Sequence, residues 1–356
     1  MAEPKAGRPV RIGIIGSGGI AEAHADSYRQ IPEAEVVAVC DIVPGRAQAF
    51  IDRCGFQARA YDDHRKMLES DIDGVSICTF NMAHHQPTVD ALTAGRHVLL
   101  EKPMAVTLGQ AVEMRDAAER AGRILSIGFQ SRYDPDIMLC KEIVDSGELG
   151  KIYYVETGGG RRRGIPGGTF IRKETAGGGA ILDIGCYSID TVMHALGNPK
   201  PLTVSATTSN YFGTSPEYTP GGWGGGFDYR DFSVEDFGVA FIRLEGGITF
   251  VFKIAWAMHM DTLGPTIFLG TKAGFNLSTR RIFHETDKMQ AQTELQFPGG
   301  NVDHQFRKVE TFAAAIRDGG ANPVPAEEIL ASEAIIDGIY RSAEAGHEVH
   351  IEIPEL

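Results

Sequence analysis

The sequence predicts an α/β protein of two differently built parts: an N-terminal doubly wound parallel sheet over residues 1–132, and a C-terminal α+β domain with a largely antiparallel sheet over 133–356. Three observations predict it. A strand, a glycine turn and a helical pattern follow one another from Val10. Short apolar runs then alternate with helical periodicity as far as Gly128. Beyond the next helix, strand patterns succeed each other with few helices between them. Alternation of strand and helix calls for parallel strands joined by right-handed crossovers, whereas strands joined by short turns pair antiparallel.

Residues 10–21 read VRIGIIGSGGIA, an apolar strand from Val10 to Ile15 followed by Gly16-Ser17-Gly18-Gly19-Ile20-Ala21. In a dinucleotide-binding turn the first glycine permits the tight turn and the second lets the backbone approach a pyrophosphate. A small residue such as Ala21 allows helix and strand to pack closely, and the helix N-terminus faces the phosphates. The alternative is a structural turn, in a chain that has 43 glycines. The second strand, Val36 to Cys40, ends in Asp41, near the spacing of roughly 20 residues at which a carboxylate accepts hydrogen bonds from the ribose hydroxyls and repels a 2′-phosphate. NAD is therefore favoured over NADP. Arg46 blurs that choice if it reaches the ribose, and takes no part if it is a solvated helix residue.

Strands over Gly74–Cys78, His97–Leu100 and Ile124–Gly128 alternate with helices over His84–Ala94 and Leu108–Ala121. Ligands of such a sheet bind beyond the carboxyl ends of its strands. There Val98-Leu99-Leu100-Glu101-Lys102-Pro103 delivers one lysine, and a proline stops the strand. Lys102 is thus a candidate acid or base, because burial or a neighbouring cation brings a lysine toward neutral pH. An ordinary surface lysine is the alternative.

After a helix over Asp136–Asp145, strands are expected at Ile152–Thr157, Leu202–Thr208, Phe237–Leu244, Ile248–Trp256 and Thr266–Leu269. Glu245-Gly246-Gly247 reads as a hairpin turn, and Gly213–Gly226 as a long loop near the site. At 177–197 a glycine turn enters an amphipathic helix whose Asp183, Tyr187 and Asp190 share one face. That suits a substrate pocket. Equally, Asp183 can complement the helix dipole and Tyr187 can pack half-buried. Arg161 and Arg163, two apart in an extended segment, could bind a carboxylate or a second sugar unit, or form a solvated basic loop. Trp256 could offer an apolar sugar platform, with His259 as a hydroxyl contact, or Trp256 could simply pack.

A chain of 356 residues can bury two cores. No apolar run reaches the length of a membrane span, and Met1 to Pro9 lack the apolar core of a signal peptide. Five scattered cysteines without metal spacing read as reduced thiols in a cytoplasmic protein. A net charge of −13 argues against nucleic acid or an anionic membrane as partner.

Four segments together make the chain similar to the Gfo/Idh/MocA oxidoreductases. They are Gly16 to Ala21; Thr79-Phe80-Asn81 followed by His84; Gly95-Arg96-His97-Val98 leading to Glu101-Lys102-Pro103; and Gly177 to Asp190. The resemblance spans essentially the whole chain, including a final helix over Ala326–Gly346 and a strand over His350–Ile353. It implies a Rossmann domain, NAD(P)-dependent dehydrogenation of a carbohydrate or cyclitol, and a homodimer or homotetramer formed through the antiparallel sheet. By the same resemblance Lys102 matches the catalytic lysine, and Asp183 matches the aspartate that orients lysine or substrate. Tyr187 stands where inositol dehydrogenases carry histidine, so the proton acceptor is either Lys102 or Tyr187. Thr79 and Asn81 would approach the cofactor ribose and phosphates, with His84 on the cofactor side. Glu101 would serve the nicotinamide end or Lys102, and Gln130 joins the cofactor set. Two other activities fit the pattern: elimination from a transiently oxidised glycoside, and cofactor sensing without turnover. Lys102 and Asp183 argue against the latter.

Overall fold

The computed structural model describes residues 8–218, 226–296 and 302–354, so part of the expected 213–226 loop lies outside the described residues. The chain forms two compact units. In the first, strands β1 (Val10–Ile15), β2 (Ala34–Cys40), β3 (Arg59–Tyr61), β4 (Gly74–Ile77), β5 (His97–Leu100) and β6 (Leu125–Ile127) form one sheet in the order β3-β2-β1-β4-β5-β6. All its pairings are parallel. Helices α1 (Gly19–Tyr28), α2 (Arg46–Cys54), α3 (His64–Leu68), α4 (His85–Thr93) and α5 (Leu108–Ala121) connect them. The order reverses between β1 and β4, and such a switch point opens a ligand crevice at the carboxyl ends. Val98, Leu99 and Leu100 are all fully buried, as expected for a strand covered on both faces.

The second unit opens with α6 (Pro135–Asp145), β7 (Ile152–Gly160) and α7 (Lys173–Ala176). A π-helical turn, Ile181–Gly185, then leads into α8 (Cys186–Leu196). With β8 (Pro201–Ser209), β9 (Phe237–Leu244), β10 (Ile248–Ala255), β11 (Ile267–Gly270), β12 (Ala273–Asn276), β13 (Arg281–Thr286) and β14 (Met289–Glu294) it builds a second sheet, in which β7 and β10 run parallel and the other described pairings are antiparallel. The β9–β10 hairpin turns at Gly246 and Gly247, both at positive φ. Along β10, Phe250, Phe252 and Ile254 are buried in alternation, the period-two pattern of a one-sided sheet.

The chain then returns to the first unit. Residues Val302–Ile329, which a division at 132/133 assigns to the second part, belong to the first unit. They carry α9 (His304–Asp318), capped by the Asp303 side chain accepting from Phe306 N at 2.9 Å and ended by Gly319 at positive φ. Val309, Phe312, Ala313 and Ile316 form its inner stripe and share a core with Ile12, Ala21, Ala25 and Leu99. The following segment covers the open edge of β6: Asn322 Nδ2 donates to Leu125 O, and Ile127 N donates to Val324 O. The last elements are α10 (Ala326–Ala345) and β15 (Val349–His350), the latter displaced from the expected His350–Ile353 and paired with β8. Among the described residues, no helix is long and apolar enough to cross a membrane.

Candidate active site

Because the first sheet is parallel throughout, Gly16–Ile20, Asp41, Thr79, Asn81 and Lys102 all follow carboxyl ends of its strands. Gly16 has φ +88, and a Cβ there would lie 2.7 Å from the Cys78 carbonyl oxygen, so only glycine fits. Gly18 and Gly19 lead into α1, and a Cβ on either would meet nothing within 4 Å, which leaves the backbone open to a ligand. The Asp41 carboxylate accepts from Ser17 N (3.1 Å), Ser17 Oγ (2.6 Å) and Val43 N (2.9 Å). Burial raises its pKa, but these hydrogen bonds and the nearby Arg46 charge outweigh burial and hold it low. It is therefore an anion suited to accept from hydroxyls. Arg46 is exposed as the first residue of α2, and Ile20 is exposed at the start of α1.

Lys102 is half-buried, two residues beyond the end of β5. Its two neighbours are pinned. Glu101 Oε1 accepts from His24 Nε2 at 2.7 Å and from Lys308 Nζ. Burial opposes its ionisation, yet Lys308 and His24 hold the carboxyl well below the usual range. On the other side, His84 Nδ1 lies 2.8 Å from the Pro103 carbonyl and His84 Nε2 lies 3.2 Å from the Thr79 carbonyl. The His84 contacts correct one expectation: its ring is 1% exposed and engages backbone rather than presenting itself to a cofactor. The Glu101 carboxylate bonds inward to α1 and α9. Thr79 Oγ1 likewise donates to Ala83 O, closing the turn that contains Asn81. Gln130 is half-buried in a short turn after β6.

In the second unit, Asp183 lies in the π turn, a feature that recurs at functional sites. The turn forms because Glu235 draws it in: its carboxylate accepts from Gly179 N and Ile181 N, and from the Tyr340 hydroxyl at 2.9 Å. A Cβ on Gly179 would come within 1.9 Å of the Glu235 carbonyl oxygen. Trp256, just beyond β10, donates from Nε1 to Asp183 Oδ2 at 3.0 Å. Trp256 is completely buried, with Phe232 against its ring, so it has no free face for a sugar and positions Asp183 instead. Asp190 is also not a pocket group, because Arg132 clasps both its oxygens in a buried pair. Tyr187 is half-buried on the second residue of α8. Residues 161–164 run beside 255–258: Arg161 N donates to Ala255 O and Gly164 N to Trp256 O, which brings Arg161 and Arg163 next to the strand end that holds Asp183. Arg163 is exposed and Arg161 half-buried, while Arg162 pairs with Asp261.

Glu235, Tyr340, Arg132, His24 and Lys308 escape a reading of the sequence. Their partners lie tens to hundreds of residues away, from His24 to Glu101 through to Lys308 to Glu101. Only α9 offers a local signal, the Asp303 cap followed by the apolar spacing from Val309 to Ile316.

Residues 10–129 match the model of an oxidoreductase family with an NAD-binding Rossmann fold, and residues 137–276 match the GFO/IDH/MocA C-terminal domain. The D-glucoside 3-dehydrogenase of Escherichia coli K12 is 33% identical over 348 residues, covering 96% of this chain and 98% of that protein. The chain belongs to the Gfo/Idh/MocA oxidoreductase family. Within the family, inositol 2-dehydrogenase of Salmonella typhimurium LT2 is 39% identical over 145 residues, 40% of this chain and 43% of that one. In fold, the chain resembles levoglucosan dehydrogenase in complex with NADH, with TM-score 0.81 and 22% identity over 97% of this chain and 100% of the other. The chain is accordingly an oxidoreductase that uses NAD. Its open glycine turn and the Asp41 anion fit that cofactor.

Proposed function

We propose that this oxidoreductase oxidises a ring hydroxyl of a sugar, glycoside or cyclitol, or reduces the matching ketone. The observation that carries the reading is the place of Lys102, two residues beyond the carboxyl end of β5, in the sheet whose other carboxyl ends carry the glycine turn and Asp41. Gly16 to Ile20 would hold the pyrophosphate, Asp41 the adenosine ribose, and Thr79, Asn81 and Gln130 further parts of the cofactor. When bound, NAD supplies the hydride acceptor at its nicotinamide C4. Lys102 or Tyr187 takes the proton of the substrate hydroxyl as its carbon gives up a hydride, leaving a ketone. Asp183, held by Trp256, accepts a hydrogen bond from a substrate hydroxyl, with Arg161 and Arg163 on the adjoining segment reaching the part of the substrate that does not react. The similarity to D-glucoside 3-dehydrogenase along nearly the whole chain supports a glycoside as substrate.

The test is incubation with NAD and a panel of sugars, glycosides and inositols. It should yield one equivalent of NADH per keto product, with deuterium moving from the oxidised carbon to the nicotinamide. Aglycone release with substoichiometric NAD, and solvent deuterium at the carbon beside the transient ketone, would replace this reading by oxidation-assisted elimination.

A further inference from the structure

Glu101, the residue before Lys102, is the meeting point of three elements of the first unit. Its Oε1 accepts from His24 Nε2 of α1 and from Lys308 Nζ of α9. Behind His24, Nδ1 lies 3.1 Å from Ser76 Oγ on β4, which lies 2.8 Å from the Tyr28 hydroxyl. One set of protons satisfies this row. An ionised carboxylate only accepts and an ammonium only donates, so Nε2 of a neutral His24 donates to Glu101, leaving Nδ1 to accept from Ser76 and Ser76 to accept from Tyr28. Burial, with the Lys308 charge, lowers the His24 pKa and favours that neutral form. All five groups are buried; Lys308 itself is 2% exposed.

Stability does not require this arrangement. Two charges taken out of water are often no more stabilising than well-packed apolar side chains of the same volume. The residues around Lys308 on the inner side of α9 are indeed apolar: Val309, Phe312, Ala313 and Ile316. What the ion pair does have is its location, on the carboxylate adjoining Lys102, while His84 engages the carbonyl of Pro103 on the other side.

We infer that Lys308, with His24 behind it, is a positioning residue for Lys102: it clamps the end of β5 through Glu101 and balances the charge that Lys102 would otherwise stand beside. The inference rests on the reading of Lys102 as the acid or base. Around this carboxylate, Lys308 of α9 and His24 of α1 act on Glu101, Glu101 acts in turn on Cys78 after β4 and on His84 before α4, and the Lys102 charge also reaches His84.

The experiment compares the full-length protein with Lys308→Met, Lys308→Arg and the double variant Glu101→Gln/Lys308→Met. The rate at which an acylating reagent modifies Lys102 is followed against pH by peptide mass spectrometry, which needs no substrate. Removal of Lys308 leaves the Glu101 carboxylate with the neutral His24 donor but no counter-charge, next to Lys102 in the chain, so the midpoint of modification should rise by about one pH unit. In Lys308→Arg it should return toward that of the unaltered protein. The double variant, which buries no unpaired charge, should keep the original midpoint yet turn over about tenfold more slowly because the clamp is gone. NADH affinity, read by fluorescence, should stay within about threefold in all three variants. An unchanged midpoint in Lys308→Met overturns the inference. If that variant does not fold, unaltered turnover in the double variant does so. Failure of the unaltered protein to oxidise any polyol would instead sink the dehydrogenase reading, and the acylation midpoints would still decide the role of Lys308.

Discussion

In the first unit Lys102 stands at the end of a four-residue buried strand, and its neighbours are held by side chains from α1 and α9 and by His84 ahead of α4. In the second, Asp183 sits in a turn of widened helix, held by the indole of Trp256 and by backbone bonds to Glu235. The first arrangement is built from charge inside a parallel sheet, the second from close backbone approach around glycine. The difference teaches which perturbation each half should fail under. Altered charge should reach function through the first unit, and altered volume through the second.

The largest effect is expected at Lys102 itself. Lys102→Met should lower turnover by about 100-fold or more while leaving NAD affinity within a few-fold, the range for a lost acid or base. Near-unaltered turnover in steady-state assays would remove Lys102 from the chemistry. Next come the glycines, which sharpen the contrast between the units. Gly179→Ala forces a methyl against the Glu235 carbonyl and should cost about 1–3 kcal/mol in urea denaturation. Gly18→Ala meets nothing within 4 Å, so the protein should be as stable as before and instead bind NAD more weakly in calorimetric titration. Equal losses of stability in the two variants would erase the distinction. Asp41→Ala should then narrow the preference for NAD over NADP by about tenfold in competitive titration, since one hydrogen-bonding anion is worth roughly 1.5 kcal/mol.

The smallest effect is in acid, and it has opposite signs for two sets of buried groups, one in each unit. Burial lowers the pKa values of His24, His84 and His97, the last to about 4. Below the ordinary histidine value the unfolded first unit binds more protons than the folded one, so its stability falls as pH drops from 6.5 toward about 4. Burial raises Glu235 and Asp236, so there the folded state binds the extra protons and gains stability as pH falls toward the ordinary carboxylate range. Amide exchange corrected for intrinsic rates, at about pH 7 and about pH 5, should show α1 and β5 losing protection before α8 and β9. The reverse order would refute this assignment.

The fold class is legible because strand, turn and helix signals are local: the Val10–Ile15 strand, the Gly16 turn and the Gly246-Gly247 hairpin each declare themselves within a few residues. Lys102 and Asp41 can be placed at strand ends for the same reason. Trp256, His84 and Asp190 are misread because a side chain's partner is set by the fold. An indole on a strand end faces solvent or a carboxylate depending on where residue 183 lies, and nothing near residue 256 reports that. Lys308 shows the limit most plainly, since its counter-charge lies 207 residues earlier.

The return of α9 to the first sheet bears on how the chain can be made. A ribosome that has released residues up to Gln130 has delivered all six strands of the nucleotide-binding sheet, but neither the stripe from Val309 to Ile316 that joins its core nor the cation that neutralises Glu101. Until about residue 329 has emerged, that sheet exposes apolar surface and carries the Glu101 carboxylate without its lysine counter-ion. Synthesis of this protein therefore includes an interval, lasting through Ser131–Asn301 of the second unit, in which the older half waits for the younger.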